Sequence, residues 1–143
     1  MSTSGRASDE QAISKVLHDA FGWALTKDRP LFVSSFANDS DFFSYFPDSK
    51  STAQGWAEFE KFLDGWMDPR NVATGYDIRA LRIVISRNGD TAWFSAIVDD
   101  AGEFDGKPWG SKDIRWTGVL EKRCGGWRIC QQHLSEANDR ASQ

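Results

Sequence analysis

Residues Trp116 to Ser135 read WTGVLEKRCGGWRICQQHLS, and how this stretch pairs with itself decides the fold. Two runs carrying Trp, Thr, Val and Ile flank Gly125-Gly126, which supplies the positive φ angles of a tight hairpin turn. An even-length loop fixes the register: Cys124 opposite Trp127, Lys122 opposite Ile129, Leu120 opposite Gln131, Gly118 opposite His133 and Trp116 opposite Ser135. The reverse face then carries Arg123/Arg128, Glu121/Cys130, Val119/Gln132 and Thr117/Leu134. The face holding Trp116, Leu120, Trp127 and Ile129 is predicted to be the inner one. Gln131 and His133 would then point into an aromatic interior, with Gly118 leaving space opposite the imidazole. A β-bulge in either strand would invert part of this assignment. On this pairing Cys124 and Cys130 lie beyond the roughly 7 Å between Cα atoms that a disulfide spans, so both are predicted to be free thiols.

Upstream, Tyr76–Ser86, Thr91–Asp100 and Asp113–Arg123 have strand-like composition, and Asn88-Gly89 is a strong hairpin signal. Across it Ile85 faces Ala92, Ile83 faces Phe94, Leu81 faces Ala96 and Arg79 faces Val98, with Asp77 brought opposite Asp100. The other face holds Val84, Trp93, Arg82, Ser95, Ala80, Ile97, Ile78 and Asp99, too apolar to be purely solvated, so a second layer or partner subunit is expected on it. Gly102–Gly110 reads either as a loop or as the start of a long bent strand.

Three helices precede the sheet. Ser8-Asp9-Glu10-Gln11 has the form of a capping box, followed by Ile13, Val16, Leu17, Ala20, Phe21 and Ala24 at helical spacing to about Thr26. Asp28-Arg29-Pro30 starts a short helix over Leu31–Phe36, and Asp41–Phe46 reads as a short strand. Gly55 opens the third helix, whose apolar side is Trp56, Phe59, Phe62, Leu63, Trp66 and Met67. Helices followed by antiparallel strands predict an α+β domain over residues 8–135, with flexible termini at 1–7 and 136–143.

Composition narrows the function. The 143 residues fit one domain of about 100–150 residues. The net charge of −4 argues against a nucleic-acid partner, which needs clustered Lys and Arg. No run approaches the roughly 20 apolar residues of a membrane span, and the polar start lacks a secretory signal, so a cytoplasmic setting is expected. A tetrahedral zinc site would have to combine Cys124, Cys130, His18 and His133, and their spacing does not suggest one, so no metal is expected. The absence of a nucleophile elbow and of a glycine-rich phosphate loop leaves no motif for phosphoryl or hydride transfer, and no cofactor is expected. The distinctive feature is aromatic content: seven Trp, ten Phe and two Tyr, which must surround something.

The run from Trp116 to Ser135 resembles the terminal hairpin of SnoaL-like domains of the nuclear transport factor 2-like superfamily, which includes ketosteroid isomerases and polyketide cyclases. Phe36-Ala37-Asn38-Asp39, Gly55-Trp56 and Gly89-Asp90-Thr91-Ala92-Trp93 are also similar to it, and the likeness extends from about Gln11 to Ser135. The resemblance implies a strongly curved, mostly antiparallel sheet wrapped around the helices as a cone, a cystatin-like α+β barrel with an apolar pocket. It also implies homodimers formed through the outer sheet face. The superfamily holds isomerases, cyclases, dehydratases and association domains, so the fold does not select a chemistry. Ketosteroid isomerases use a Tyr in the first helix and two Asp in the pocket. Here Phe21 and Trp23 occupy that helix, His18 is the ionisable group on its apolar flank, and Asp99 and Asp100 fall in the strand expected for a pocket acid.

The candidate catalytic residues are His133, Asp100 and Tyr45, and the candidate pocket residues are Trp56, Phe59, Trp116, Leu120, Gln131 and Phe43. His133 is either a general base or a hydrogen-bonded core histidine. Asp100 is either a carboxyl raised by Asp77 or one of two solvated strand-end acids neutralised by Arg79. Asp41, Phe43 and Tyr45 share a face and supply either an acid and a phenol at the cone mouth or a turn cap and a half-buried Tyr. Arg115 is a rim charge or a carboxylate partner. These residues predict a small apolar or aromatic ligand, with acid–base chemistry at His133 or Asp100 steadied by Tyr45 or Gln131. The rival expectation is a non-catalytic association or ligand-sequestering module.

Overall fold

A computed structural model describes residues 3–139. Helix α1 spans Thr3–Thr26, so Ser8 lies inside it rather than capping it. Residues 3–7, expected in the flexible N-terminus, are helical, while 1, 2 and 140–143 lie outside the described residues. The start of α1 is tied down through tertiary contacts. The buried Asp9 carboxylate accepts from Trp127 Nε1 at 3.1 Å and pairs with Lys122 at 3.2 Å. At the other end Lys27 takes a left-handed φ of 52°, and the Asp28 N–H donates to Trp23 O at 2.9 Å, closing the helix as glycine commonly does. The Lys27 ammonium donates to the carbonyls of Trp66, Asp68 and Asn71, so this unusual position joins the end of α1 to the segment after the third helix.

Helix α2, Arg29–Ser35, starts as expected: the Asp28 side chain accepts from Leu31 N at 3.1 Å and proline sits in the first turn. Strand β1 is Phe43–Tyr45, and β2, Ala53–Gln54, is a short partner that the sequence pattern did not signal. Helix α3, Trp56–Trp66, begins at Gly55, whose φ of 87° turns the chain. Glu58 reaches back to the Gln54 N–H at 3.1 Å.

The long strands are β3 Asn71–Ile85, β4 Thr91–Phe104, β5 Lys107–Arg123 and β6 Gly126–Ser135. They form one curved mixed sheet in the order β2-β1-β6-β5-β4-β3, antiparallel except for the parallel pair β1/β6. The α+β class is therefore as expected. Gly102–Gly110 extends β4 and β5 as a bent hairpin, turning at Asp105-Gly106 with φ of 51° and 79°.

Two bulges change the expected faces. Between β3 and β4 the pairing runs as predicted from Ile85/Ala92 to Arg82/Ser95, then shifts, so Arg79 meets Ile97, Ile78 meets Val98 and Asp77 meets Asp99. Ala80 carries the strain of this bulge with a φ of 54°. The expected pairs Arg79/Val98 and Asp77/Asp100 are thus corrected, and Asp100 lies opposite Tyr76. Between β5 and β6 the turn is Cys124-Gly125, so Arg123 meets Gly126, Lys122 meets Trp127 and Leu120 meets Ile129, which corrects the expected pairs Cys124/Trp127, Lys122/Ile129 and Leu120/Gln131. Val119 then meets Gln131, leaving Cys130 unpaired in the ladder, and Gly118 and Trp116 meet Gln132 and Leu134 instead of His133 and Ser135. Beyond it every side chain of β6 changes sides: Gln132 and Leu134 are buried, whereas His133 is exposed.

The inner face of β4 and β5 (Ala92, Phe94, Ala96, Val98, Ile114, Trp116, Leu120) closes on Ile13, Leu17 and Trp23 of α1 and Phe59 and Leu63 of α3. Phe59 sits among aromatic rings, with centroids at 4.7 Å to Phe42, 4.9 Å to Phe36 and 5.4 Å to Phe32.

Candidate functional site

The helices and the curved sheet enclose an open-ended cavity of about 840 Å³. Aromatic rings form much of its wall: Phe21 and Trp23 from α1, Phe32 from α2 and Phe36 just after it, Phe59, Phe62 and Trp66 from α3, and Phe104 and Trp109 from the β4–β5 hairpin. Trp109 packs against Gly102, where any side chain would collide with the indole, and its Nε1 donates to Asn71 Oδ1 at 3.1 Å.

Polar groups are few and placed at separate points. Asp100 enters the cavity wall from β4. Among the described residues no ion pair reaches it, and burial pushes its carboxyl up to about 6, opposed only by the Ala101 backbone N–H. The cause is desolvation rather than the like-charge pairing with Asp77 expected from the sequence. Asp77 and its neighbours Asp99 and Asp113 surround Arg79 on the outer side, with Arg79 2.9 Å from Asp99 and 3.1 Å from Asp77. Gln132 is a buried polar group of the wall, where Asp100 is only partly buried. Trp116 Nε1 donates to its Oε1 at 3.0 Å, and its Nε2 donates to Ser44 Oγ at 3.1 Å. Lys27, Lys61, Asp48 and Glu136 also border the cavity, and the three carbonyls described above occupy the Lys27 ammonium. Among the described residues no group of three or more His, Cys, Asp or Glu is gathered as a metal site requires.

Of the candidate residues, Asp100 and Phe59 border the cavity together. Trp116 and Leu120 are fully buried behind its wall, and Trp116 serves it indirectly by fixing Gln132. Trp56 packs in the aromatic cluster, 5.8 Å from the Phe32 ring, without bordering the cavity. His133 and Gln131 are corrected to the outer side because the Cys130 bulge reverses their direction. Tyr45 and Phe43 are also outer, since Ser44 is the inward residue of β1. The Tyr45 ring packs 4.6 Å from Phe43 and 5.2 Å from His133, 45% exposed. His133 borders a smaller cleft outside, shared with Phe46, Pro47 and Glu136. Asp41 lies in an exposed turn, where its N–H donates to Asp39. His18 is exposed and bonded to Tyr76 Oη at 3.2 Å, and the Arg115 guanidinium donates to the Glu136 carbonyl. Both cysteines are free, and burial pushes the Cys130 thiol up to about 11, which leaves it a poor nucleophile at neutral pH.

Gln132 and Trp109 were missed from sequence. A signal for Gln132 existed: Trp127 and Ile129 share odd parity, whereas Leu134 is even, so an apolar inner face through all three requires a bulge between them.

This assembly, a curved sheet and three helices around an aromatic cavity, matches the profile of the SnoaL-like domain over residues 13–139, and the chain belongs to that family. Solved structures agree on the fold. A nuclear transport factor 2-like superfamily protein from Salmonella enterica aligns with a TM-score of 0.76 at 18% identity, covering 93% of this chain and 94% of that one. A protein of the NTF2-like family from Streptomyces avermitilis, provisionally named a dehydratase, aligns at 0.78 with 14% identity over 93% and 99%. One from Shewanella frigidimarina, provisionally named a ketosteroid isomerase, aligns at 0.64 with 21% identity over 87% and 94%. No curated protein matches the sequence.

Proposed function

We propose that this SnoaL-like domain binds one neutral, largely apolar small molecule in its aromatic cavity, and that Asp100 is the acid–base group of a cofactor-free isomerase-, cyclase- or dehydratase-type reaction. The observation that carries this reading is the partly buried carboxyl of Asp100, reached by no ion pair among the described residues, in a wall rich in aromatic rings. A carboxyl held at about 6 is mostly ionised at neutral pH yet takes up a proton readily, as a general base that returns its proton must. The provisional names of the structural relatives are compatible with that chemistry.

Trp23, Trp66 and Trp109 border the cavity, so ligand entry must alter tryptophan emission. A panel of steroid-like and polyketide-like compounds is expected to include members that quench it saturably. Gly65 borders the cavity and has open space beside it, so Gly65→Phe should weaken binding at least about tenfold by occupying that space. No quenching by any member, or quenching indifferent to Gly65→Phe, would contradict the proposal.

The same proposal includes a homodimer formed through the outer sheet face in a cytoplasmic setting. Trp93 and Tyr45 are 48% and 45% exposed on the sheet's outer side, an unusual cost for a solvated surface. Sedimentation should give twice 16.1 kDa, and a monomer mass at high concentration would overturn this part. The rival reading, a domain that associates or sequesters without turnover, rests on those same outer aromatics. Among the described residues no helix is long and apolar enough to cross a membrane.

A further inference from the structure

Gln132 carries an amide proton that the fold leaves unused. Trp116 Nε1 is a donor only, so the atom 3.0 Å from it must be the amide oxygen, and the orientation of the amide is fixed. One Nε2 proton goes to Ser44 Oγ at 3.1 Å; the other has no acceptor among the described residues. Gln132 is 4% exposed and borders the cavity. Proteins leave few buried donors without a partner.

The sheet register separates this donor from Asp100. Asp100 lies opposite Ser111 of β5 and Gln132 opposite Gly118, seven residues further on. That is at most about 23 Å of strand, shortened across the cavity by the curl of the sheet. The two polar points also have opposite sense: an amide donor at one end and, once ionised, a carboxylate acceptor at the other.

We propose that Gln132 is the specificity-determining anchor of the cavity, donating its remaining Nε2–H to an acceptor oxygen on the ligand. This rests on the cavity reading above and narrows it. The ligand is a neutral, elongated ring compound with a carbonyl-type oxygen at the Gln132 end, and a hydroxyl or an acidic C–H at the Asp100 end. Trp116, which can only donate, is the positioning residue that keeps the amide turned with its nitrogen toward the ligand, and Ser44 takes the other Nε2 proton.

Matched probes test this: 2-acetylnaphthalene against 2-ethylnaphthalene, and 2-acetylphenanthrene against 2-ethylphenanthrene, by tryptophan quenching. Each ketone should bind about three- to tenfold more tightly than its hydrocarbon, the worth of one hydrogen bond. That preference should vanish in Gln132→Met and persist in Ser44→Ala. The bound ketone's C=O stretch in wild-type protein should fall below its value in hexane, a readout that needs no folded variant. Hydrocarbons binding as well as ketones, or an unshifted stretch, would overturn the Gln132 assignment and leave the cavity reading standing. Binding by none of the four would overturn both.

Discussion

Asp99 and Asp100 are neighbours in β4, yet they sit at opposite ends of the carboxylate range. Asp99 turns outward, 2.9 Å from Arg79, and accepts from the Asp113 N–H at 2.8 Å; both hold its carboxyl below the usual value. Asp100 turns into the aromatic cavity, meets no ion pair among the described residues, and is pushed up to about 6 by burial. One step along a strand exchanges solvent and a guanidinium for a low-dielectric wall. Chemistry at neutral pH belongs to the carboxyl that has been denied a cation, whereas the well-paired one is electrostatically quiet.

The largest effect should come from emptying the inner side that the bulge maintains. The Cys130 bulge turns Leu134 into the core and His133 out, so Leu134→Ala should cost about 2–5 kcal/mol in urea denaturation and His133→Ala less than about 1 kcal/mol. Equal losses at the two positions would show that the bulge does not sort inner from outer residues.

Gly102→Ala comes next. Its Cβ would overlap the Trp109 ring and stand 2.6 Å from the Val72 carbonyl oxygen, forcing the indole away. Such overpacking costs about 2–3 kcal/mol. It should also admit water near Asp100 and bring its titration down toward the ordinary 3.8, narrowing the contrast with Asp99. An unchanged Asp100 titration would show that the indole does not shield it.

Asp100→Asn tests the contrast through stability. A folded pKa of about 6 against an ordinary 3.8 means that the folded chain binds more protons than the unfolded one between those values. Stability should therefore fall as pH rises from about 4 to about 6 and level off above, and the step should disappear in Asp100→Asn. At pH 7 the variant should be more stable by on the order of 2 kcal/mol, after allowance for residual solvent at the carboxyl. Identical pH profiles for the two proteins would refute the raised value.

The smallest effect belongs to Arg79→Gln on the exposed side. Asp99 is held low, so its contribution is present at neutral pH and lost as the pH drops below the usual carboxylate range. The change should be slight, shrink further in high salt, and leave ligand binding unaltered. A large loss of binding in the cavity would mean that the two faces are coupled.

Much of the fold was legible. The Asn88-Gly89 hairpin, the presence of a second hairpin at Gly125, the Asp28 cap and the apolar face of α3 are local signals, and local physics sets them, although the second turn closes one residue earlier than expected, at Cys124-Gly125. The Asp105-Gly106 turn was equally local, but the surrounding Glu103–Gly110 run lacks apolar alternation because its hairpin is largely exposed. The site was less legible, because each bulge reverses everything beyond it. On β3, Ile78 faces the core with even parity while Leu81, Ile83 and Ile85 are odd, the same parity break that betrays the β6 bulge. Asp100 was found, though its raised pKa comes from burial rather than from Asp77. His133, Gln131, Tyr45 and Phe43 were assigned to the wrong side by an unbroken period of two. The tertiary capture of Asp9 by Trp127 and Lys122, which draws the start of α1 onto the sheet, has no local signature at all.

The central claim, an unpaired carboxyl poised in an aromatic cavity, is tested most directly by ¹³C NMR. The carboxyl carbons of aspartate-labelled protein would be titrated from pH 3 to 9, with Asp100→Asn to identify the resonance. The Asp100 signal should titrate with a midpoint near 6 while Asp99 titrates below the ordinary 3.8. A midpoint for Asp100 at or below about 4 would mean a solvated carboxyl, and the account of this site would fail.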